Sequence, residues 1–341
     1  MNGLSEEGRR ALMLELRALQ GISPWPGLLH LAVRLPVQVL LWFMAWHAWV
    51  GEDYAAFAAW ALLAAVCFAS LMSLTHDALH HRLTGIGWLD ECVARLVSWP
   101  IAWPIATYKY VHLLHHRMSG SELADPERIS PLARDWQQSG VQRMMLHQQL
   151  WVRMFVLGAG GLLMKLLGGL RGRLGDRVVR RALCSDGLGI VAVLSGLALV
   201  AFVSLGWRGV LGFVVLWVLH ERVVGIVHQF RNHMEHYGLW GGEGAFLDTQ
   251  YATARSIRTN LFGRLYFNNL NRHAEHHVAA AVPFYKLERA SLLIAAAYSR
   301  EGFASVETPG YFAAMREVLR QMRESFSVDE QPHSRLRKLQ V

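Results

Sequence analysis

Residues 271–287 read N-R-H-A-E-H-H-V-A-A-A-V-P-F-Y-K-L, and three histidines near the front, His273, His276 and His277, decide how the rest of the chain is read. On a helix, positions i, i+3 and i+4 share one face, so these imidazoles converge on one side. Neutral imidazole nitrogens are metal donors, and a converging triplet can hold an ion. The same H-x-x-H-H spacing recurs at His112, His115 and His116, and a near-relative, H-x-x-x-H-H, stands at His76, His80 and His81. With only 17 His in 341 residues, two chance copies of H-x-x-H-H have a probability on the order of one in a thousand. Incidental histidine tracts are contiguous, whereas these are spaced at helical intervals.

Outside the boxes the chain is apolar. Hydrophobic residues make up 53% of it and charged residues 18%, with 13 Trp. That balance fits a membrane protein better than two soluble domains. Cys67, Cys92 and Cys184 lie far apart without a C-x-x-C, which supports neither a disulfide framework nor an iron–sulfur or zinc–cysteine site. Glu6, Glu7, Arg9 and Arg10 open a mixed polar segment, unlike the apolar core of a signal peptide.

Residues 1–20 read as an amphipathic surface helix within an N-terminal segment, 1–30, that Ser23-Pro24-Trp25-Pro26-Gly27 interrupts. Leu31 to Val50 and Tyr54 to Thr75 are long enough to cross a hydrocarbon core of roughly 30 Å, and Gly51-Glu52-Asp53 permits only a tight antiparallel turn. The first histidine box stands at the exit of that hairpin. Residues 86–107, with Asp90, Glu91, Arg95, Pro100 and Pro104, suit an interfacial or re-entrant helix. They lead to the second box and a polar loop through Asp125-Pro126-Glu127. Residues 141–170, with Arg143, Arg153 and Lys165, give no clear assignment. The run Arg171, Arg173, Arg177, Arg180 and Arg181 reads as a solvated face near anionic lipid.

Leu188 to Leu205 forms a third span and Val210 opens a fourth, in which His220, Glu221 and Arg222 follow only ten residues free of ionisable groups. If that helix continues, His228, Asn232 and His236 fall on one face. The turns at 51–53 and 206–209 hold one Arg between them, so the positive-inside rule sets both termini and every box in the cytoplasm. The expected fold is therefore an all-α integral membrane protein: four transmembrane helices in two hairpins, interfacial helices and a cytoplasmic histidine-rich cap, with 288–341 as a cytoplasmic helical tail.

Lone histidines such as His30, His47, His147 and His333 are ordinary surface, interface or core residues. His228 and His233 read more readily as packing residues than as ligands, and His236 stays open between ligand and helix-end residue. Nine or more imidazoles exceed the four ligands of one zinc, so two ions are implied. Imidazole suits iron, copper, zinc and nickel alike. The carboxylates near the boxes are few, chiefly Asp77, Glu235 and Glu275.

The order of boxes around two hairpins, closing on H-x-x-H-H and Pro283-Phe284-Tyr285-Lys286-Leu287, resembles the membrane fatty acid desaturase and hydroxylase superfamily over roughly Leu31 to Leu287. The resemblance implies one desaturase-like domain over 1–341 with a non-haem di-iron centre. Its metal ligands would be His76, His80, His81, His112, His115, His116, Asn232 (through water), His236, His273, His276 and His277. All of these except His81 and Asn232 would also be the catalytic set. Dioxygen would be the co-substrate. The reaction would oxidise an unactivated C–H bond of a fatty acyl chain, desaturation foremost, with hydroxylation of a fatty acid or alkane, ketone formation or oxidative decarboxylation to a terminal alkene as alternatives on the same scaffold.

An aliphatic carbon has no usable acidity, so the oxidising power must come from the metal while the protein orients one methylene and excludes water. Residues from Leu89 to Ile105 could line an acyl tunnel, and Lys109, Arg255 and Arg258 are candidates to grip a carboxylate or carrier headgroup. No haem domain, G-x-G-x-x-G or cysteine cluster is present, so electrons are expected from a separate protein. The net charge of +8 favours an acidic, ferredoxin-like donor. The lipid bilayer is the other partner, nucleic acid is not one, and a bacterial inner membrane is the expected location. A membrane metal transporter would place its histidines near the midplane, and a membrane cytochrome would pair single histidines on facing spans. Neither pattern matches triplets at membrane exits.

Overall fold

The computed structural model describes residues 3–121, 124–127, 152–170, 172–239, 244–303 and 307–324. Arg143, His147, Arg171 and His333 lie outside them. The chain forms two compact units that alternate along the sequence. A histidine unit comprises residues 1–22, 112–150 and 230–341, and an apolar unit comprises 23–111 and 151–229.

The apolar unit is built on α2 (Pro24–Val50), α3 (Tyr54–Leu79) and most of α7 (Arg177–His236), the three helices among the described residues long and apolar enough to cross a membrane. α2 starts before the expected Leu31, because Pro24 and Pro26 sit in the first helical turn, where a missing N–H costs nothing. Its burial is inverted relative to a soluble helix: Gln38 is 1% exposed while Leu40 and Phe43 are 57% and 61% exposed. Apolar side chains turned outward over 27 residues need lipid around them. The protein is a membrane protein.

α7 runs for 60 residues, but Leu205 (φ −144°, ψ 17°) and Gly206 (φ 58°, ψ −143°) leave the helical region. Gly206 supplies a positive φ that few other residues tolerate. A side chain at Gly209 would collide with the Ala201 carbonyl. On a straight helix those residues would stand about 12 Å apart, so α7 is bent sharply at this point. Just past the bend, Arg208 pairs with Glu52 and donates to the carbonyls of Val50 (2.7 Å) and Trp49 (3.3 Å), while Trp49 Nε1 donates to the Arg208 carbonyl (3.1 Å). The α2–α3 turn and the α7 bend are thereby tied together over a core of Ala45, Trp49, Phe57, Ala61, Val215 and Leu219.

Polar groups within α7 find protein partners. Trp42 Nε1 donates to His220 Nε2 (2.9 Å), whose Nδ1 donates to the Leu216 carbonyl (2.8 Å), and His228 Nε2 donates to the Ala69 carbonyl (2.9 Å). Asp186, 1% exposed, accepts from Trp99 Nε1 (3.0 Å), from the Ala106 N–H (3.3 Å) and from the N–H and hydroxyl of Thr107 (both 2.8 Å). It caps the first turn of α5 (Ile105–Met118), the helix that bears the second histidine box. Ahead of α5, α4 (Gly87–Ser98) opens beside a turn in which Asp90 accepts from the Thr84 N–H (3.0 Å) and hydroxyl (2.5 Å). The undecided region resolves in part as α6 (Ala159–Gly169), whose entry is seated against Gly225 so closely that a side chain there would strike its backbone.

In the histidine unit, α1 (Glu6–Leu19) is amphipathic as expected, yet it is no free surface helix. Leu12, Leu16 and Leu19 are buried in one core with Leu247 and Tyr251 of α8 (Phe246–Ala252), Ala274 and Val278 of α10 (His273–Val278), and Leu287, Ile294 and Tyr298 of α11 (Leu287–Arg300). Two-residue strands β1 (Ser256–Ile257) and β2 (Glu307–Thr308) pair in parallel, Ser256 opposite Glu307. α9 (Leu261–Tyr266) follows β1, and α12 (Tyr311–Glu324) is the last described element.

Candidate metal centre

The last turns of α5, the last turn of α7 and the short α10 bring seven imidazoles into the interior of the histidine unit: His112, His115, His116, His236, His273, His276 and His277. All are buried. Their Nε2 atoms face one another. His112 and His116 are 3.0 Å apart through these atoms, His116 and His276 3.1 Å, His236 and His273 2.7 Å, and His273 and His277 3.2 Å. Donor atoms of His115, His236 and His277 form one group within 4.8 Å, and those of His112, His116 and His276 are likewise within 4.8 Å of each other.

The opposite nitrogens explain what these contacts are. Nδ1 of His115 meets Asp125 Oδ1 (2.8 Å), that of His112 meets Glu127 Oε1 (3.2 Å), that of His277 meets Gln250 Oε1 (3.1 Å) and that of His236 meets the Thr253 carbonyl (3.3 Å). Nδ1 of His273 lies 3.5 Å from Glu235 Oε2. For the four hydrogen-bonded rings the partner is an acceptor, so Nδ1 carries the proton and the Nε2 of His112, His115, His236 and His277 presents a bare lone pair. The bare nitrogens of His115, His236 and His277 converge within 4.8 Å, and lone pairs gathered so closely repel unless a cation lies among them. Metal–imidazole bonds of about 2.1 Å set at right angles would put neighbouring nitrogens roughly 3 Å apart, the spacing seen here. An imidazole that binds metal through one nitrogen and is steered by an acceptor at the other is the usual outer-shell arrangement of such sites.

A family model described as fatty acid desaturase matches residues 52–308, about three quarters of the chain and all three boxes. The chain belongs to the fatty acid desaturase family. Comparison with curated proteins found no match. In a desaturase-family chain the neutral state of these rings matters, because a protonated imidazole cannot bind metal. Burial drives the pKa of His273, His276 and His277 well below the usual histidine value. It also lowers that of His112, which Glu127 offsets in part.

The remaining residues singled out in the sequence are placed as follows. His76 and His80 lie in the apolar unit at the end of α3, their rings 5.2 Å apart, with His76 5% exposed. His81 lies past the end of that helix. The helix ends at Leu79 and His81 takes a left-handed φ of 54°, which turns its ring to Lys109 Nζ (2.9 Å) and Glu91 (4.0 Å) with its side chain 40% exposed. His233 is buried and stacks on Tyr237 at 6.4 Å. Asn232 is half-buried on α7, one turn before His236.

The expected substrate-gripping residues have other work. Arg255 is wholly buried and donates to the carbonyls of Tyr237 (2.7 Å) and Met234 (3.3 Å) and to Gln321 (3.0 Å), so it caps the end of α7. Arg258 is paired with Glu307 (2.8 Å), and Lys109 is engaged by His81 and by Glu91 (3.7 Å). Glu275, amid the third box, accepts from Ser291 Oγ (2.9 Å) and Ser256 Oγ and thereby pins α10 to α11 and β1. Burial raises its pKa, and the two hydroxyls work against that rise. Asp125, Glu127, Gln250 and the Thr253 carbonyl carry orienting roles that were not read from the sequence. The D-P-E run just after the second box was the one available signal.

Proposed function

We propose that this desaturase-family protein oxidises an unactivated C–H bond of a fatty acyl chain, with desaturation as the outcome. The observation that carries this reading is the convergence of bare imidazole Nε2 atoms whose Nδ1 protons are held by buried acceptors. The donor set fits two ions with imidazole-rich coordination, and iron is the family's metal. Bound iron, with dioxygen and two external electrons, supplies the oxidising power that an aliphatic C–H bond demands.

The residues around it do the rest. His112, His115, His116, His236, His273, His276 and His277 present neutral donors. His76 and His80 join the ligand set by the sequence pattern of the boxes, and Asn232 acts through a water. Asp125, Glu127, Gln250, Glu235 and Thr253 fix ring orientation, so that the donors do not swing when charge changes at the centre. Burial of the seven rings of the histidine unit keeps bulk water away from a strong oxidant.

The two long helices α2 and α3 and the two arms of the bent α7 are read as four spans. The turn at Glu52 and the bend at Arg208 lie outside, with the termini and boxes in the cytoplasm of a bacterial inner membrane. An acidic, ferredoxin-like protein is the electron source, a pairing favoured by the chain's formal net charge of +8.

Mass spectrometry of cells that express the protein and are fed saturated fatty acids of graded length tests the reading. A product two hydrogens lighter and of equal carbon count supports desaturation. A hydroxy acid or a keto acid shifts the outcome within the superfamily, as does an alkene one carbon shorter. Iron-loaded, reduced protein that leaves every acyl substrate unchanged, while cells gain metal uptake, refutes enzymatic oxidation.

A further inference from the structure

The seven-residue helix α8, Phe246–Ala252, lies outside the histidine boxes, yet it and the residue after it present acceptors to two imidazoles of one group. Gln250 Oε1 stands 3.1 Å from His277 Nδ1, and the Thr253 carbonyl stands 3.3 Å from His236 Nδ1. Gln250 is 1% exposed. His277 also stacks on His116 of the neighbouring group, with ring centroids 4.5 Å apart.

The short helix is itself held from another part of the chain. Asp248, 2% exposed, accepts from Tyr298 Oη of α11 (2.6 Å), from the Leu4 N–H (3.2 Å) and from Arg9 Nη1 (3.3 Å). Glu301, at the end of α11, closes the other side by accepting from the N–H (2.6 Å) and hydroxyl (2.7 Å) of Ser5. Tyr251 stacks on Tyr298 with centroids 4.7 Å apart. A helix of seven residues has too few internal hydrogen bonds to hold its own place, so its position is set by these anchors.

We infer that Gln250 is a positioning residue chiefly for the ion held by His115, His236 and His277, and that the Leu4–Arg9 segment is the latch that keeps it in place. The inference rests on the two-metal reading above. An amide oxygen holds the His277 proton on Nδ1 and aims Nε2 inward. Without it the ring is free to rotate or to exchange tautomers, and the group formed by His115, His236 and His277 loses a fixed donor. His112 is steered by Glu127, and His277 meets this second group through its ring stack on His116, so the second ion is affected less.

The test uses full-length protein in nanodiscs with cobalt(II) as the probe, comparing wild type with Gln250→Leu, Gln250→Glu and Arg9→Met. Cobalt titration followed by its visible absorption bands reads each ion separately, and melting of the metal-free protein reads structure alone. Gln250→Leu should weaken one of two cobalt ions about 10–100-fold and alter its absorption band, with the second ion weakened much less and the metal-free melting unchanged. Gln250→Glu, which restores an acceptor, should recover the affinity. Arg9→Met, at the rim, should weaken the same ion severalfold, and it keeps the test alive if Gln250→Leu fails to fold. Equal weakening of both ions, no weakening, or Gln250→Glu behaving as Gln250→Leu would overturn the positioning role. Wild-type protein that binds no cobalt at its histidines would overturn the two-metal reading as well, and is thereby told apart from failure of this inference alone.

Discussion

Replacing Arg255 separates a structural cation from a substrate-gripping one. Its guanidinium donates to two main-chain carbonyls at the end of α7, at 2.7 and 3.3 Å, and to Gln321 at 3.0 Å, with Glu317 at 3.4 Å. Hydrogen bonds to a charged group are each worth about 1.5–3 kcal/mol, and a buried acceptor left bare costs about 1–3 kcal/mol. The Glu317 side chain is 26% exposed and can recover part of its loss from water. Arg255→Met keeps the bulk and removes the donors, so a destabilisation of about 3–5 kcal/mol is expected. For a unit of this size that lowers the melting temperature by roughly 10 °C. Because the affected turn carries His236, iron retention should fall with it. Melting in nanodiscs, read by fluorescence alongside metal analysis, measures both. A variant that melts as wild type and keeps its iron but binds fatty acid more weakly would refute the capping role and return Arg255 to the substrate.

Purified protein is expected to hold about two irons per chain, with His115→Ala and His276→Ala abolishing turnover. Stoichiometric zinc in active protein would contradict that. His236→Ala should lose iron and activity together, while His233→Ala, whose ring stacks on Tyr237, should keep measurable iron; metal analysis of the two side by side decides. A cysteine placed at Glu52 should react with an impermeant reagent in intact cells and one at Ser121 should not. External labelling of the latter would reverse the topology.

The boxes were legible because metal binding writes itself as helical spacing: His112, His115 and His116 on α5 and His273, His276 and His277 on α10 are local patterns. The acceptors behind them were not, since the partner of His277 lies 27 residues away and the Thr253 carbonyl has no side-chain signature at all. The box pattern does not show that the helix ends at Leu79 or that His81, just past it, meets Lys109 and Glu91. The long apolar runs announced α2 and α3, and the G-W-R-G stretch marked a break in α7, though the non-helical residues prove to be Leu205 and Gly206. Arg255 looked available because positive residues usually are; only packing reveals that it is wholly buried. Composition likewise identified an amphipathic first helix but not the core it completes beside α11.

The alternation of the two units has a consequence for how the protein is made. The histidine unit takes its parts from residues 1–22, 112–150 and 230–341, with the apolar unit's segments synthesised in between. When the second box leaves the ribosome, the groups that must face it have yet to be translated: His236 follows the whole of α7, and His277 lies beyond that. The Leu4–Arg9 segment likewise waits for Asp248. A nascent chain therefore has no complete set of donors until its third box has emerged. Each donor group is completed only by the third box, one by His276 and the other by His277, so the last helix of the centre to be translated closes both groups.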